Sequence, residues 1–487
     1  MISPPSASSM ATVPHLMQTP PVVGGALPVT DGSFVEFSRD VLGTLLRLHQ
    51  KHGPIAALRD GTQKIVFLFD PAYNRQVLSD AKTYHARFFG IRGPKRSSQR
   101  RLTCGLLAMN GDQHRRNRRM VKEPFGMRQI AHYDDAILRF AEETTASWSD
   151  GQAVDVNEEM TRHMLRVTSG LLFGLDDNDL AYVVGEQIAE WVGMNHELGV
   201  GALVPNDEFS DRYEELLAYS EKLEKNVMEL IRLRRADPKP SFDVLSILVR
   251  MHDAEGGLSD EELVGQACVL FGAAHMTTAH SFTWTLFLLA QHPSVMRRVW
   301  GAIEDGTIDR EGENGEMALI DRVIKESMRV LPASGYSQRI NNEPVRLGPF
   351  ELMRGTPIVF TPIITHKLES TFENPRLFDP DRWLTTKPSG YEYHPFGGGP
   401  RLCIGGPLAM KILRTTLPRF LSEWRFTVEP GSDVTAEVRS TMLNPKNGVR
   451  MRLNKHAEAG PTFTASPIRG NIDLLADLPE APEAPAA

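Results

Sequence analysis

Cysteine is scarce in this chain. Cys104, Cys268 and Cys403 are the only three among 487 residues. An odd number, so widely spaced, supports neither a disulfide framework nor a zinc cluster. It fits a reducing, intracellular setting, and a cytoplasmic location is the expectation. No run of about 20 apolar residues is present to serve as a membrane anchor. The N-terminus, MISPPSASSMATVPHLMQTPPVVGG, lacks the basic-then-apolar order of a secretory signal. Excess positive charge is missing as well: the formal net charge of −7 argues against general nucleic-acid affinity. Fixed-period repeats and long linkers are also absent.

What remains is an ordinary globular composition, 41% hydrophobic and 24% charged. Length alone suggests two or three domains, although a large enzyme can wrap one fold around a buried cofactor. Pro, Ser and Thr dominate residues 1–30, which read as an extended, poorly ordered arm. The tail 456–487, ending LPEAPEAPAA, reads the same way. The ordered region is therefore expected over 31–455.

Within it, a helix is predicted over Ser33–His52, and IAALRDGTQKIVFLFD predicts two strands joined by an Asp-Gly turn. Helical patterns dominate from about 111 to about 331, with Pro293 separating one helix from the next. Short strands return from Gln338 to Thr365, and VRSTMLNPKNGVRMRL offers an Asn-Gly hairpin near the end. The fold class is thus mostly α, of α+β type. One helix stands apart. Ser259 and Glu262 form a capping box ahead of a run, up to Pro293, that is apolar nearly all round, so this helix crosses the protein interior. Gln266, His275, His280 and four threonines interrupt that run and argue against a membrane span.

The stretch HPFGGGPRLCIGGPLAM, His394 to Met410, carries the chemistry. A cysteine is a strong ligand only as thiolate, and burial alone opposes that form. The following sequence, LAMKILRTTLPRFLSEW, is helical, so Cys403 lies at or just before a helix N-terminus, where free N–H groups favour negative charge. Glycines at 397, 398, 399, 405 and 406 let backbone amides approach the sulfur. These features suit an axial thiolate on haem iron. The alternative is a glycine-rich loop holding an inert cysteine; neither frame of a phosphate loop fits.

Phe396-x-x-Gly399-x-Arg401-x-Cys403-x-Gly405 resembles the haem-binding signature of the cytochrome P450 family. Glu326-Ser-Met-Arg329 is similar to that family's E-x-x-R, and Pro375-Arg-Leu-Phe378-Asp-Pro380-Asp-Arg382-Trp383 to the segment that follows it. The likeness runs from about residue 33 to 455. It implies one triangular helical domain with a smaller β-rich lobe around haem b, and a buried ion-pair network of Glu326, Arg329 and Arg382. It makes Cys403 the iron ligand. It assigns haem-propionate contacts to His114 and Arg118, one helix face at i, i+4, and to Arg339 and Arg401, where guanidinium–carboxylate pairing suits the task. Ala273 would sit beside the haem. A solvated basic helix is the alternative for His114 and Arg118.

Arg87 to Arg119 holds ten Lys and Arg against one acid, Asp112. The resemblance implies that an acidic ferredoxin or flavodoxin docks there, with Arg115, Arg116, Arg119 and Lys122 as candidate contacts, speeding encounter more than tightening binding. A monomer is expected. In the central helix Thr277 occupies the family's threonine position, but Met276 stands where an acid is usual and Ala274 replaces a glycine. A threonine hydroxyl relays a proton; methionine supplies none. Three readings stay open: a water chain, His275 or His280 substitutes; the substrate supplies the polar group, as in peroxide-using relatives; or the chain is an isomerase or dehydratase. A non-catalytic haem gas sensor is a more remote alternative. The expected activity is monooxygenation, with O2 as co-substrate, NAD(P)H supplying electrons through separate partners, and Thr277 managing protons. The implied pocket draws on the 85–110 loop, the 197–211 connection, Leu270, Ala273, Ala274, Ala333, Ser334, Met442 and Leu443. Its apolar character suits a lipid, terpenoid or aromatic substrate.

Overall fold

The structure of the protein is a computed structural model that describes residues 26–479, apart from 88–89, 176–178, 202–207, 238–240, 254–257, 313–314 and 457–461. Residues 1–25 of the expected N-terminal arm lie outside it. The end of that arm is not irregular: Val29–Asp31 lies parallel to Ala57–Arg59 as a sheet strand. The helix predicted over Ser33–His52 is broken into Phe34–Arg39 and Val41–His52. Asp40 leaves helical backbone between them, and its carboxylate accepts from the Gly43 N–H to cap the second segment.

Ile55–Asp60 and Gln63–Leu68 pair antiparallel across Gly61, whose φ of +58° is the conformation an Asp-Gly turn demands. They sit in a six-stranded sheet ordered Val29–Asp31, Ile55–Asp60, Gln63–Leu68, Pro357–Phe360, Ser337–Asn341 and Tyr84–Ala86. In that register Arg339 stands opposite both Ala86 and Ile358. The smaller β lobe thereby delivers a cation to the edge of the helical region.

The interior helix is Asp260–Gln291, and both halves of the Ser259–Glu262 capping box form. Phe271, Phe282, Trp284 and Phe287 along it are fully buried. Trp284 meets its one polar obligation by donating to the Leu443 carbonyl at 2.9 Å. At its end the His292 ring meets the Leu288 carbonyl, and Pro293 opens the next helix as expected. Among the described residues no helix is long and apolar enough to cross a membrane. Trp148 locks the far side of the core, packing against Phe420, Trp424 and Phe426 at 5.0, 5.6 and 5.6 Å.

Two expectations need correction. Asn447-Gly448 is a turn but closes no hairpin. Met442–Pro445 before it pairs with Ala436–Arg439, whereas Arg450–Lys455 after it pairs with Trp424–Val428 and Gln152–Asp155. The tail beyond 455 is not irregular throughout. Residues 462–479 pack onto the domain, Arg469–Gly470 pairs with Asp433–Val434, and Ile472, Leu475 and Ala476 are buried. Three apolar side chains in five residues supplied enough burial to fix a segment whose overall composition is polar.

Gly448 has φ +72°, and a Cβ there would lie 1.7 Å from the Asp155 carboxylate. That carboxylate accepts from the Asn157 N–H at 2.9 Å, capping the helix Val156–Phe173, and from the Val449 N–H at 3.0 Å. Gly448→Ala is therefore expected to cost about 2–3 kcal/mol, left-handed strain plus a displaced cap. Urea unfolding measures it, and a loss under about 0.5 kcal/mol, the size of a neutral surface change, would rule out that clash.

Candidate active site

Between the interior helix and the glycine stretch lies a cavity of about 470 Å³. The loop at its floor is shaped by glycine. Gly397 at φ +71° turns the chain so that its N–H reaches the His394 carbonyl at 2.9 Å. The Cys403 N–H then closes on the Phe396 carbonyl at 2.9 Å, three residues before the helix Gly406–Glu423 begins. The Cys403 thiol is exposed, but to the cavity; protein encloses it on every other side. Burial pushes its pKa up, while the Gly405 amide, the Arg118 guanidinium and the Gly406 amide pull it back.

Phe396, Arg401, Cys403 and Gly405 all line the cavity, and Gly399 does not. Gly399 has φ +63°, and a Cβ on it would stand 2.0 Å from the Leu78 carbonyl oxygen. It is glycine because another backbone crosses there.

His114, Arg118, Arg339 and Arg401 converge on the same cavity. Arg401 donates to the Met109 carbonyl and, at 2.7 Å, to Asn110 Oδ1, while its Nε is buried without a partner among the described residues. Arg118 donates to the Leu402 carbonyl. Arg339 donates to Gln338 O at 2.8 Å and lies 5.2 Å from the Phe360 ring. Among the described residues none of the three guanidiniums has a carboxylate partner, and no Asp or Glu lines the cavity. The electrostatic result is severe. Burial first, then Arg401, Arg118 and Arg339, pushes the His114 pKa down to about 4. Burial pushes Arg339 and Arg401 down to about 10. Such a cluster calls for an anionic guest.

Behind the floor, Glu326 and Arg329 are both fully buried and paired at 2.8 Å, and Arg382 Nε reaches Glu326 at 3.2 Å. The ion-pair network that the family resemblance implied is therefore present in space. Arg329 also donates to the carbonyls of His366 at 3.0 Å, Pro375 at 2.5 Å and Leu377 at 2.9 Å.

On the opposite wall, Ala273 is exposed in the middle of an otherwise buried helix because it faces the cavity. Thr277, one turn on, donates its hydroxyl to the Ala273 carbonyl at 2.8 Å and also faces inward, as does Met276. Neither candidate substitute histidine reaches the cavity. His275 Nε2 meets the Thr161 carbonyl at 3.0 Å. His280 is fully buried, and neither ring nitrogen has a partner among the described residues. The proton-relay reading is thereby narrowed to water and the cavity hydroxyls.

Leu270, Ala274, Ala333, Ser334 and Met442 line the cavity as expected. Leu443 does not: it is fully buried on the other face of its strand, pointing into the core. Parts of the 85–110 and 197–211 stretches, 88–89 and 202–207, lie outside the described residues. Sequence reasoning missed Trp191, Asn195 and His196 on the helix Asp179–Gly201, and the turn Ser440–Thr441. Gln99 ties that helix down, accepting from Trp191 Nε1 at 2.7 Å and donating to Asn195 Oδ1 at 2.8 Å. Ser440 and Thr441 have φ +54° and +80° with no Gly or Asn to announce them. Asn110 was also missed; it bridges Ala86 and Arg401.

The donor set fits haem: carboxylates for the surplus cations, a flat apolar body for the cavity walls, a soft metal for the thiol. That defines a class, the haem-thiolate proteins. The family description "Cytochrome P450" matches residues 24–451, and the chain belongs to the cytochrome P450 family, as a monooxygenase. The chain is 29% identical to pentalenene oxygenase of Streptomyces avermitilis over 88% of its length and 96% of that protein. It is 28% identical to cyclooctatin synthase of Streptomyces melanosporofaciens over 85% and 91%. Among solved structures it resembles the P450DA heme domain (TM-score 0.75, 21% identity, 89% of this chain and 99% of that one). Retinoic-acid-bound cyanobacterial CYP120A1 is similar too (0.73, 22%, 88% and 99%).

The His280 pKa is pushed down to about 4, by burial and secondarily by His275. Below its ordinary 6.5 the unfolded chain binds a proton that the folded chain refuses until about pH 4. The stability this group contributes is complete above pH 6.5 and is lost as pH falls toward 4. His280→Leu should therefore remove on the order of 2 kcal/mol of the loss between those values. Urea titrations at both ends of the window measure it; an undiminished loss in the variant counts against the assignment.

Proposed function

We propose that this chain inserts one oxygen atom from O2 into a C–H bond, or across a C=C bond, of an apolar small molecule. Electrons come from NAD(P)H through a separate ferredoxin or flavodoxin in a cytoplasmic setting, and residues 31–455 with the packed tail act as one catalytic unit. A single observation carries the reading: Cys403 opens onto the same cavity as His114 and three guanidiniums that, among the described residues, have no acid to pair with. Cys403 would hold the iron, and His114, Arg118, Arg339 and Arg401 the propionates. Bound haem supplies the iron at which dioxygen is activated, with the thiolate favouring O–O cleavage.

The chain's own residues do the rest. The Gly405 and Gly406 amides and Arg118 stabilise negative charge on the sulfur. Ala273 leaves room on the cavity wall, and Thr277, one turn on, carries a hydroxyl able to give up its bond to the Ala273 carbonyl and hold a proton donor instead. With no carboxylate on the cavity wall among the described residues, protons reach that hydroxyl through water held by Thr277, Thr278 and Ser281. Trp191, Val192, Leu270 and Met442 exclude bulk water and select an apolar substrate. The relatives' names, oxygenases of pentalenene and cyclooctat-9-en-7-ol among them, favour a terpenoid. For docking, Arg115 is paired with Asp112 and Arg116 with Glu262, which leaves the exposed Arg119 and Lys122 as the readier contacts.

Cys403→Ala should abolish the strongly red-shifted Soret band of the reduced, carbon-monoxide-treated protein; a retained band ends the haem-thiolate assignment. In a reconstituted system Thr277→Ala should release several-fold more hydrogen peroxide per product, and unchanged coupling removes Thr277 from proton delivery. Met276→Asp should hold or raise turnover, because an added acid relieves a shortage worth roughly 10²–10⁴-fold where a general acid is lost. A collapse with haem intact means that methionine shapes the pocket. Label from O2 appearing in product, with NAD(P)H consumed, separates oxygenation from isomerisation or dehydration.

A further inference from the structure

Residues 462–479 lie beyond the segment matched by the family, 24–451. They are fastened at three points that are far apart in sequence. Ser466 exchanges two hydrogen bonds with Gln291 at the end of the interior helix, its N–H to Oε1 at 2.9 Å and its carbonyl from Nε2 at 3.0 Å. Asn471 does the same with Ala436, accepting from its N–H at 2.7 Å and donating to its carbonyl at 3.0 Å. Asp477 donates its N–H to the Arg376 carbonyl at 2.9 Å, bridges beside Leu377, and pairs with the Arg376 guanidinium at 2.9 Å. Leu475 and Ala476, fully buried, seat the segment between the last two anchors.

The third anchor has a particular geometry. Pro375 and Leu377 turn their carbonyls inward to Arg329, while Arg376 between them turns outward to Asp477. The stretch 375–377 is thus held from both sides. The inner holder leads to the iron ligand. Arg329 donates to the His366 carbonyl, and the His366 ring accepts from the His394 N–H at 2.9 Å. His394 then accepts from Gly397, and Phe396 from Cys403. We infer that the C-terminal segment is a strap that positions the thiolate loop, with Asn471, Leu475 and Asp477 as positioning residues acting through Arg376–Leu377, Arg329 and His366. The inference rests on Cys403 being the iron ligand for its spectral consequence, but not for its mechanical one. The exposed Arg376–Asp477 ion pair contributes little by itself; the backbone bridge and the two buried side chains carry the strap.

The test compares three full-length proteins, wild type, Leu475→Asp and Asn471→Ala, with a chain truncated after residue 461. In the haem-loaded, reduced, carbon-monoxide-bound state, Leu475→Asp and the truncation should convert from the red-shifted thiolate band to the shorter-wavelength band about ten-fold faster than wild type. Asn471→Ala should do so about two- to five-fold faster. In the haem-free proteins, hydrogen exchange at the Asp379 N–H, which is bonded to Glu326 at 3.0 Å, should speed up in parallel. Helical circular dichroism checks that Leu475→Asp is folded, so a truncation that fails to fold leaves the decision to that variant. The strap role is overturned if strap amides such as Asp477 exchange freely in folded Leu475→Asp while Asp379 exchange and band conversion match wild type. If wild type shows no thiolate band at all, the Cys403 reading fails, and Asp379 exchange still decides the strap.

Discussion

A carboxylate and a guanidinium that see no solvent bind the halves of this molecule together. Glu326 and Arg329 are both fully buried, and every N–H of the arginine is committed: two donors to Glu326, the others to the carbonyls of His366, Pro375 and Leu377. Removing either charge strands its partner in the interior, typically at 3–5 kcal/mol. The geometry of three segments, its own helix, the stretch at His366 and residues 375–377, is consequently fixed by one side chain. The helix Leu319–Val330 that carries the pair sets its apolar face against the interior helix, where Thr285 donates to Ser327 Oγ at 2.8 Å. The floor and ceiling of the cavity are thus referred to a common frame.

The cavity shows the opposite electrostatic condition. Where the Glu326 network balances its charges, the rim around His114, Arg118, Arg339 and Arg401 leaves them unbalanced, and the suppressed proton affinity of His114 records that excess. Arg339 comes from a sheet strand, Arg118 from the basic helix and Arg401 from the thiol loop, so the two lobes meet where their cations repel. Supplying two carboxylates there would turn that repulsion into the adhesive between lobes. Stability and cofactor occupancy are then linked quantities in this protein.

Much of this was legible in the sequence, for identifiable reasons. The thiol loop was legible because backbone closure around a thiolate demands particular residues at fixed spacing; the burial of the E-x-x-R pair was legible only through the family resemblance, since that spacing alone is commonplace. The interior helix was legible from its capping box and its unbroken apolarity. The misreadings share a cause, which is orientation. Nothing local says that Gly399 faces a crossing backbone while Gly405 faces the cavity. Leu443 and Met442 sit on opposite faces of one strand, and His275 lies about 200° around the helix from Thr277. The Ser440–Thr441 turn lacks the residues that normally mark positive φ, and the tail's few buried side chains are diluted by its polar neighbours. Gly448 marked a turn correctly but not which sheets its flanking strands would join.

Ser466, Asn471 and Asp477 are synthesised after every residue of the body they fasten. Whatever folds during synthesis does so with the Pro375–Leu377 stretch held only from within, because its outer partner is still inside the exit tunnel or not yet made. The nascent chain therefore passes through a stage in which the helical body is made and the outer face of residues 375–377 is not yet held. Order of synthesis thus places the outer hold on Pro375–Leu377 last among the contacts that fix that stretch.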